Sequence, residues 1–279
     1  MQAQSFSNLN SASTALRLYK QREYLRIGTR DILGLASMQE TTLELSDLAS
    51  ACLETAYIFC LKQLKAEYGT PLYTDIDGSE KESEFAVIGM GKLGGRELNF
   101  SSDIDIIYIY SSDKGETTGV KTGDGVQEPA PAGFERGSEV RSEKIKNKIS
   151  LHAFYVKLSE MITRLIGNVT EDGIVFRVDL NLRPEGKGGD LANSIRSAEI
   201  YYESWGQSWE RAAMIKARLV AGNLKLGEAF LSMIEPFVYR RYLDFTAIEE
   251  IRGMKEKIDL SLLRAAPDAV DVKLGVGGI

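Results

Sequence analysis

Apolar positions three and four apart run through the first part of the chain. Leu48, Cys52, Ala56, Phe59, Cys60 and Leu64 hold one stripe, which predicts helix within residues 15–80. Thr41 followed by Glu44 has the form of a capping box, and Tyr68-Gly69-Thr70-Pro71 ends the segment as a breaker cluster. The period then changes. Phe85–Ile88 is a short apolar run that predicts a buried strand, Ile104–Tyr110 a second and Ile174–Leu180 a third. Residues 111–150 are polar, rich in Gly and Ser and without an apolar period, which predicts a long loop. Leu151, Tyr155, Leu158, Ile162 and Leu165 mark an amphipathic helix. After Pro184 the pattern predicts helices at Trp209–Val220, at Gly227–Leu243 with a break at Pro236, and at Thr246–Leu263 behind a Thr246/Glu249 capping box. The order is helices, then a small sheet with one helix, then helices. The expected class is α+β, a small mixed sheet flanked by N- and C-terminal helical regions.

Composition narrows the function classes. The chain has 279 residues, 43% hydrophobic and 27% charged, which is ordinary for a globular protein. A net charge of −6 argues against nucleic acid as a partner held by electrostatics. No apolar run is long enough for a membrane span, and the first ten residues lack an apolar signal core, so a cytoplasmic location is expected. Cys52 and Cys60, eight apart in one helix, would lie about 12 Å from each other, too far for a disulfide. The single histidine, His152, excludes histidine triads and multi-histidine metal sites. Any metal must therefore be held by carboxylates.

Gly89-x-Gly91-x-x-Gly94 matches a dinucleotide fingerprint literally, but only eight residues separate Gly95 from Ile104. A crossover to a parallel neighbour needs a dozen or more, so NAD is excluded and a very short helix or turn is expected. The Gly94-Gly95 pair lets backbone amides approach a phosphate, and Lys92 and Arg96 add positive charge beside it. Asp103 and Asp105, two apart at a strand start, point to one face, with Ile104 and Ile106 turned into the core. Two acids on one face repel unless a cation neutralises them, and hard oxygen ligands suit magnesium beside a phosphate. Asp179 shares a face with Arg177 on the third strand. It is a third candidate ligand, enough for two magnesium ions about 3.5–4 Å apart.

A Gly-Gly pair, an Asp-x-Asp strand and a later acidic strand together resemble the DNA polymerase beta-like nucleotidyltransferase superfamily. The longer string Gly89-Met-Gly-Lys-Leu-Gly-Gly-Arg-Glu-Leu-Asn-Phe-Ser-Ser-Asp-Ile-Asp105 resembles the bacterial glutamine synthetase adenylyltransferase family. So do Arg177-Val-Asp-Leu-Asn-Leu-Arg-Pro184 and Trp209-Glu-Arg-Ala-Ala-Met-Ile-Lys-Ala-Arg218. The resemblance implies a nucleotidyltransferase-type sheet in residues 81–190, a helical region over 1–80 and a second over 191–279. Glu97-Leu-Asn-Phe-Ser-Ser102 and Ile234–Phe245 resemble the half that removes AMP from a tyrosine of glutamine synthetase by phosphorolysis, yielding ADP. The alternatives are the half that attaches AMP from ATP and, outside enzymes, a regulatory module binding PII protein or glutamine. The 111–150 loop is longer than the family pattern. The ending Gly275-Val-Gly-Gly-Ile279 falls where the family continues, which predicts a fragment.

The resemblance implies Asp103, Asp105 and Asp179 as catalytic metal ligands. It implies Gly94, Gly95, Lys92, Ser102, Arg183, Lys187, Lys216 and Arg218 as nucleotide or phosphate contacts. For Lys216 and Arg218 a solvated helix face is the competing expectation, and Arg177 is a candidate structural partner of Asp179. Trp205 and Trp209 read as core or interface aromatics. Glutamine synthetase, phosphate and ADP or ATP are the implied partners, with PII protein possible for a longer enzyme.

Overall fold

The computed structural model describes residue 6, residues 8–75, 77–122 and 144–239, and scattered positions between 248 and 260. The helix expected over 246–263 and the Gly275–Ile279 ending fall largely or wholly outside the described residues.

The single helical span expected over 15–80 divides in two. Helix α1 (Leu9–Ile32) starts at an Asn8/Ser11 capping box, and helix α2 (Met38–Tyr68) starts at one formed by Ser37 and Glu40. The capping box expected at Thr41/Glu44 is therefore a turn too late. Thr41 lies within α2, and its hydroxyl donates to Asp31 Oδ1 at 2.9 Å, tying the two helices together. Gly34 adopts a φ of +67° just past α1, the left-handed conformation that lets a chain leave a helix tightly. Cys52 and Cys60 are buried free thiols in α2, and burial pushes both up to about 12.

After Gly69 the chain forms strands that the helical pattern hid: β1 (Pro71–Thr74) and β2 (Glu80–Glu82). Next come β3 (Phe85–Gly89), the four-residue helix α3 (Gly91–Gly94) and β4 (Ile104–Tyr110). The expected very short helix between the two strands is thus present, and β3 and β4 pair antiparallel, which leaves no room for a dinucleotide crossover unit. The expected 111–150 loop is partly ordered: β5 (Glu116–Thr117) pairs with β1, and β6 (Val120–Thr122) pairs with β7 (Lys144–Lys146). The stretch between β6 and β7, 123–143, lies outside the described residues.

Helix α4 (Leu151–Gly167) follows, as its apolar period required. The third core strand is shorter than expected, only β8 (Val178–Asp179), and a further strand, β9 (Ala192–Ser194), lies along the same edge of β4. The chain continues through α5 (Ile195–Ser204) and α6 (Ser208–Met214) to β10 (Arg218–Gly222) and α7 (Leu224–Val238). The helix expected at Trp209–Val220 therefore becomes a short helix and a strand. Pro236 sits in the last turn of α7 without breaking it earlier. Trp205 and Trp209 are exposed and form no part of the core.

The central sheet runs β10-β3-β4, all antiparallel, with β8 and β9 both parallel to β4 on its free edge. This is the expected mixed sheet of an α+β fold. Alternation along β4 divides the core: Ile104, Ile106, Tyr108 and Tyr110 pack with α1, α2 and α4, and Ile107 and Ile109 pack with α5, α6 and α7. Phe85 lies at the centre of the first layer, stacked on Tyr57, Tyr108 and Tyr155 with centroids 5.5–5.7 Å away. Arg17, buried in α1, donates to the carbonyls of Leu165, Asn168 and Gly173 and so fixes the turn that delivers β8.

Candidate functional site

The site lies where β3 ends and β4 begins. The Met90 amide donates to Asp105 O at 2.8 Å, closing the short connection through α3. Glycine is required twice here, for different reasons. Gly91 has φ +52°, and a Cβ there would stand 2.9 Å from Asp105 Oδ2. A Cβ at Gly94 would stand 2.0 Å from Lys216 O, so Gly94 admits the backbone leading into β10. The amides of Gly94 and Gly95 donate within the turn, to Met90 O at 2.9 Å and Gly91 O at 3.0 Å. These N–H groups close the short helix, and the Gly91 side is the one beside the Asp105 carboxylate.

The carboxylates are arranged by the parallel register of β4 and β8. Ile104 lies beside Val178 and Asp105 beside Asp179. In-register neighbours on adjacent strands point to one face about 4.8 Å apart in the hydrogen-bonding direction, so Asp105 and Asp179 present like charges side by side. At about 5 Å that repulsion is roughly 1 kcal/mol in water and about 3 kcal/mol at an effective dielectric near 20. Asp179 Oδ1 accepts the Asn181 amide at 2.7 Å, which fixes its orientation. The same register carried back one residue brings Asp103 beside Arg177. Ile104 N donates to Arg177 O at 2.9 Å, the Arg177 Nε donates to Asp103 Oδ1, and its Nη2 donates to Ser101 O at 2.6 Å. Arg177 therefore pairs with Asp103, where a partnership with Asp179 was expected.

These residues fit magnesium in two respects: the donors are all hard oxygens, and Gly91 keeps clear the space beside Asp105 Oδ2 that a Cβ would enter. Among the described residues, however, no three acidic, histidine or cysteine side chains stand together as a ready metal cluster.

The expected phosphate contacts sort by what they touch. Ser102 Oγ donates to Asn99 Oδ1 at 2.8 Å, and the same oxygen accepts the Ser101 amide at 3.1 Å, so Ser102 shapes the turn before Asp103. The Arg183 guanidinium donates to the carbonyls of Leu180, Lys187, Gly189 and Asp190. It braces the loop between β8 and β9, and a phosphate would have to compete with that whole set. Arg218 donates to Leu93 O at 3.1 Å and Gly94 O at 3.2 Å, closing the C-terminal end of α3, and burial pulls its guanidinium below the ordinary value. Lys216 is ion-paired with Glu97. The competing expectation of a solvated helix face fails for both, because Lys216 lies in a turn and Arg218 in β10. Lys187 is exposed on a short 3₁₀ turn, Gly186–Gly188. Lys92 sits in the first turn of α3, half-buried.

One site residue escapes the sequence reading, and another takes a partner other than the one expected. Arg177 lies beside Asp103, and extending the Asp105/Asp179 pairing by one step identifies this partner. Asp47 of α2 takes both of its 2.7 Å contacts from Arg96 Nη2, anchoring the glycine turn to the helical layer. Nothing in the local pattern marks Asp47.

The family model described as glutamate-ammonia ligase adenylyltransferase matches residues 2–128 and 134–233. The bifunctional glutamine synthetase adenylyltransferase/adenylyl-removing enzyme of Nitrosococcus oceani is 41% identical over 281 residues, covering 99% of this chain and 26% of that protein. The proteins of the same name from Thioalkalivibrio sulfidiphilus and Pseudomonas putida are 41% and 39% identical, covering 95% and 99% of the chain and 24% and 25% of their own lengths. The chain thus spans about a quarter of the length of these relatives. Its matched motifs include the glycine turn, the Asp103–Asp105 strand and the Arg177–Pro184 segment, and the chain belongs to the glutamate-ammonia ligase adenylyltransferase family.

Proposed function

We propose that this chain removes AMP from an adenylylated tyrosine of glutamine synthetase by magnesium-dependent phosphorolysis, with ADP as product. The observation that carries the chemistry is the in-register pairing of Asp105 with Asp179 beside the glycine turn, with Asp103 two residues away. An oxygen of inorganic phosphate attacks the AMP phosphorus, the bond from phosphorus to the tyrosyl oxygen breaks, and the phenolate leaves and takes up a proton. A phenol with a pKa near 10 is a workable leaving group when its developing charge is neutralised. Magnesium, held as two ions by Asp103, Asp105 and Asp179, would supply that neutralisation.

The protein's own part is positioning. Asp105 and Asp179 are fixed by strand pairing and by the Asn181 amide, and the glycine turn is held by Asp47 and Arg96 on one side and Arg218 on the other. Lys92 and Lys187 are the proposed cations for phosphate. Fixed charges and fixed geometry are what phosphoryl transfer chiefly demands. Direction rests on Glu97–Ser102, the string that resembles the removing half. The names of the relatives include both activities, so attachment of AMP from ATP is the second reading. Incubating the chain with adenylylated glutamine synthetase, magnesium and phosphate is expected to release ADP only when phosphate is present. Incorporation of AMP from ATP without phosphate-dependent ADP release would overturn the removing assignment.

A further inference from the structure

Deepening that reading and resting on it, we infer that Asp47 of α2 is a positioning residue for the site. It serves as the shared counter-ion of Arg96 and Arg218, the two guanidiniums that flank the glycine turn.

The backbone at the exit of α3 is the first observation. Arg96 has a φ of +59°, the left-handed conformation that residues other than glycine adopt at a cost. A long cationic side chain therefore stands where glycine would suit the backbone better. Its guanidinium is turned to α2, with Nη2 donating to both Asp47 oxygens at 2.7 Å. The preceding residue of α2 holds the same corner. Ser46 Oγ accepts the Leu98 amide at 3.1 Å and donates to Thr42 O at 2.8 Å, and both Ser46 and Leu98 are buried. Residues 96 and 98 are thus fastened to adjacent residues of one helix, and the chain runs on from there to Asp103.

Charge is the second observation. Arg218 approaches the turn from β10 and donates to Leu93 O and Gly94 O. Burial is the main cause that lowers its guanidinium; the charge of Arg96 lowers it further, and that of Asp47 opposes the change. Asp47 is therefore within electrostatic reach of both cations. Glu97, at the same corner, pairs with Lys216 instead. The Arg96–Asp47 pair adds little to global stability, because its side chains are 44% and 57% exposed. Its effect is local. Without the Asp47 charge, like charges face each other across a turn whose Gly91 lies beside the Asp105 carboxylate.

A counter-ion differs from a plain anchor in what rescues its loss. If the pair only fastened the corner, removing either partner would do equal damage. If Asp47 neutralises Arg96, a neutral residue at 96 should be tolerated and should also repair the loss of Asp47. Asparagine suits this purpose because it accepts the left-handed conformation and carries no charge.

The test compares the wild type with Asp47→Asn, Arg96→Asn, the double variant and Asp47→Glu. Two quantities are read: hydrogen–deuterium exchange at the amides of residues 94–98, and phosphate-dependent ADP release from adenylylated glutamine synthetase. Asp47→Asn is expected to speed exchange and to lower kcat about three- to tenfold, with KM and the urea midpoint nearly unchanged. Arg96→Asn and the double variant should each stay within about twofold of the wild type in both readouts. Asp47→Glu, which keeps the charge, should retain most of the rate. A double variant as impaired as Asp47→Asn, or an Arg96→Asn variant equally impaired, would overturn the counter-ion role. So would an Asp47→Asn variant that matches the wild type in kcat and exchange, whatever its urea midpoint. If the wild type releases no ADP in response to phosphate, the removing activity falls, and exchange alone decides the role of Asp47. Exchange that is not faster in Asp47→Asn, or not restored in the double variant, would then sink it.

Discussion

The two ends of strand β4 obey opposite rules. Toward its C-terminal end, Tyr108 and Tyr110 are buried, with rings stacked into the Phe85–Tyr155 cluster. Their hydroxyls are satisfied by Thr163 at 2.9 Å and His152 at 3.3 Å. Toward its N-terminal end, Asp103 is exposed, Asp105 is half-buried beside Asp179, and the backbone turns through glycines. One end lowers the free energy of the fold by excluding water and pairing its tyrosine hydroxyls. The other keeps unfavourable charge together in reach of solvent. Natural folds tolerate such local conflict chiefly at functional sites, and here the rigid end is what allows the conflicted end to persist.

The sharpest break in this comparison is Phe85→Ala. Removing the central ring of the stack should destabilise the protein by about 3–5 kcal/mol, read as a lower urea midpoint. Activity per folded molecule should survive under conditions where the fold persists, and a selective loss of activity without loss of stability would contradict the division. Gly94→Ala comes next. Its Cβ would stand 2.0 Å from the Lys216 carbonyl oxygen, so β10 must shift, at a cost of about 1–3 kcal/mol as for other overpacked sites. A midpoint equal to that of the wild type would show that the close approach is not needed. Asp105→Asn should have the smallest effect on stability, within about 0.5 kcal/mol or slightly stabilising, because it removes repulsion with Asp179 in a partly exposed setting. A large loss of stability would mean that Asp105 holds the fold.

Legibility in the sequence follows the same division. Strands β3 and β4 and helix α4 are readable because each carries its own uninterrupted apolar pattern, and the short helix between the strands follows from the chain length available. The Asp103/Asp105 pair is readable from period-two alternation. The rest depends on partners distant in sequence. Strand β8 has two residues and β9 three, too few for a pattern, and they form because β4 offers a free edge. Strand β10 is concealed in a string whose composition favours helix, and tertiary pairing with β3 overrides that preference. The Ser37/Glu40 cap has the same local form as Thr41/Glu44, and only the turn at Gly34 decides between them. Arg183 and Arg218 read as phosphate ligands because positive charge beside an acidic site invites that expectation. Their actual partners are backbone carbonyls, which leave no trace in residue type.

The most direct test of the division is the rate of ADP release from adenylylated glutamine synthetase by Asp105→Asn, normalised to folded protein. A fall of at least about 1,000-fold, equivalent to about 4 kcal/mol of transition-state stabilisation, with an unchanged urea midpoint is the predicted result. Retention of most of the wild-type rate would contradict it, and the polar end of β4 would then not be the site of the chemistry.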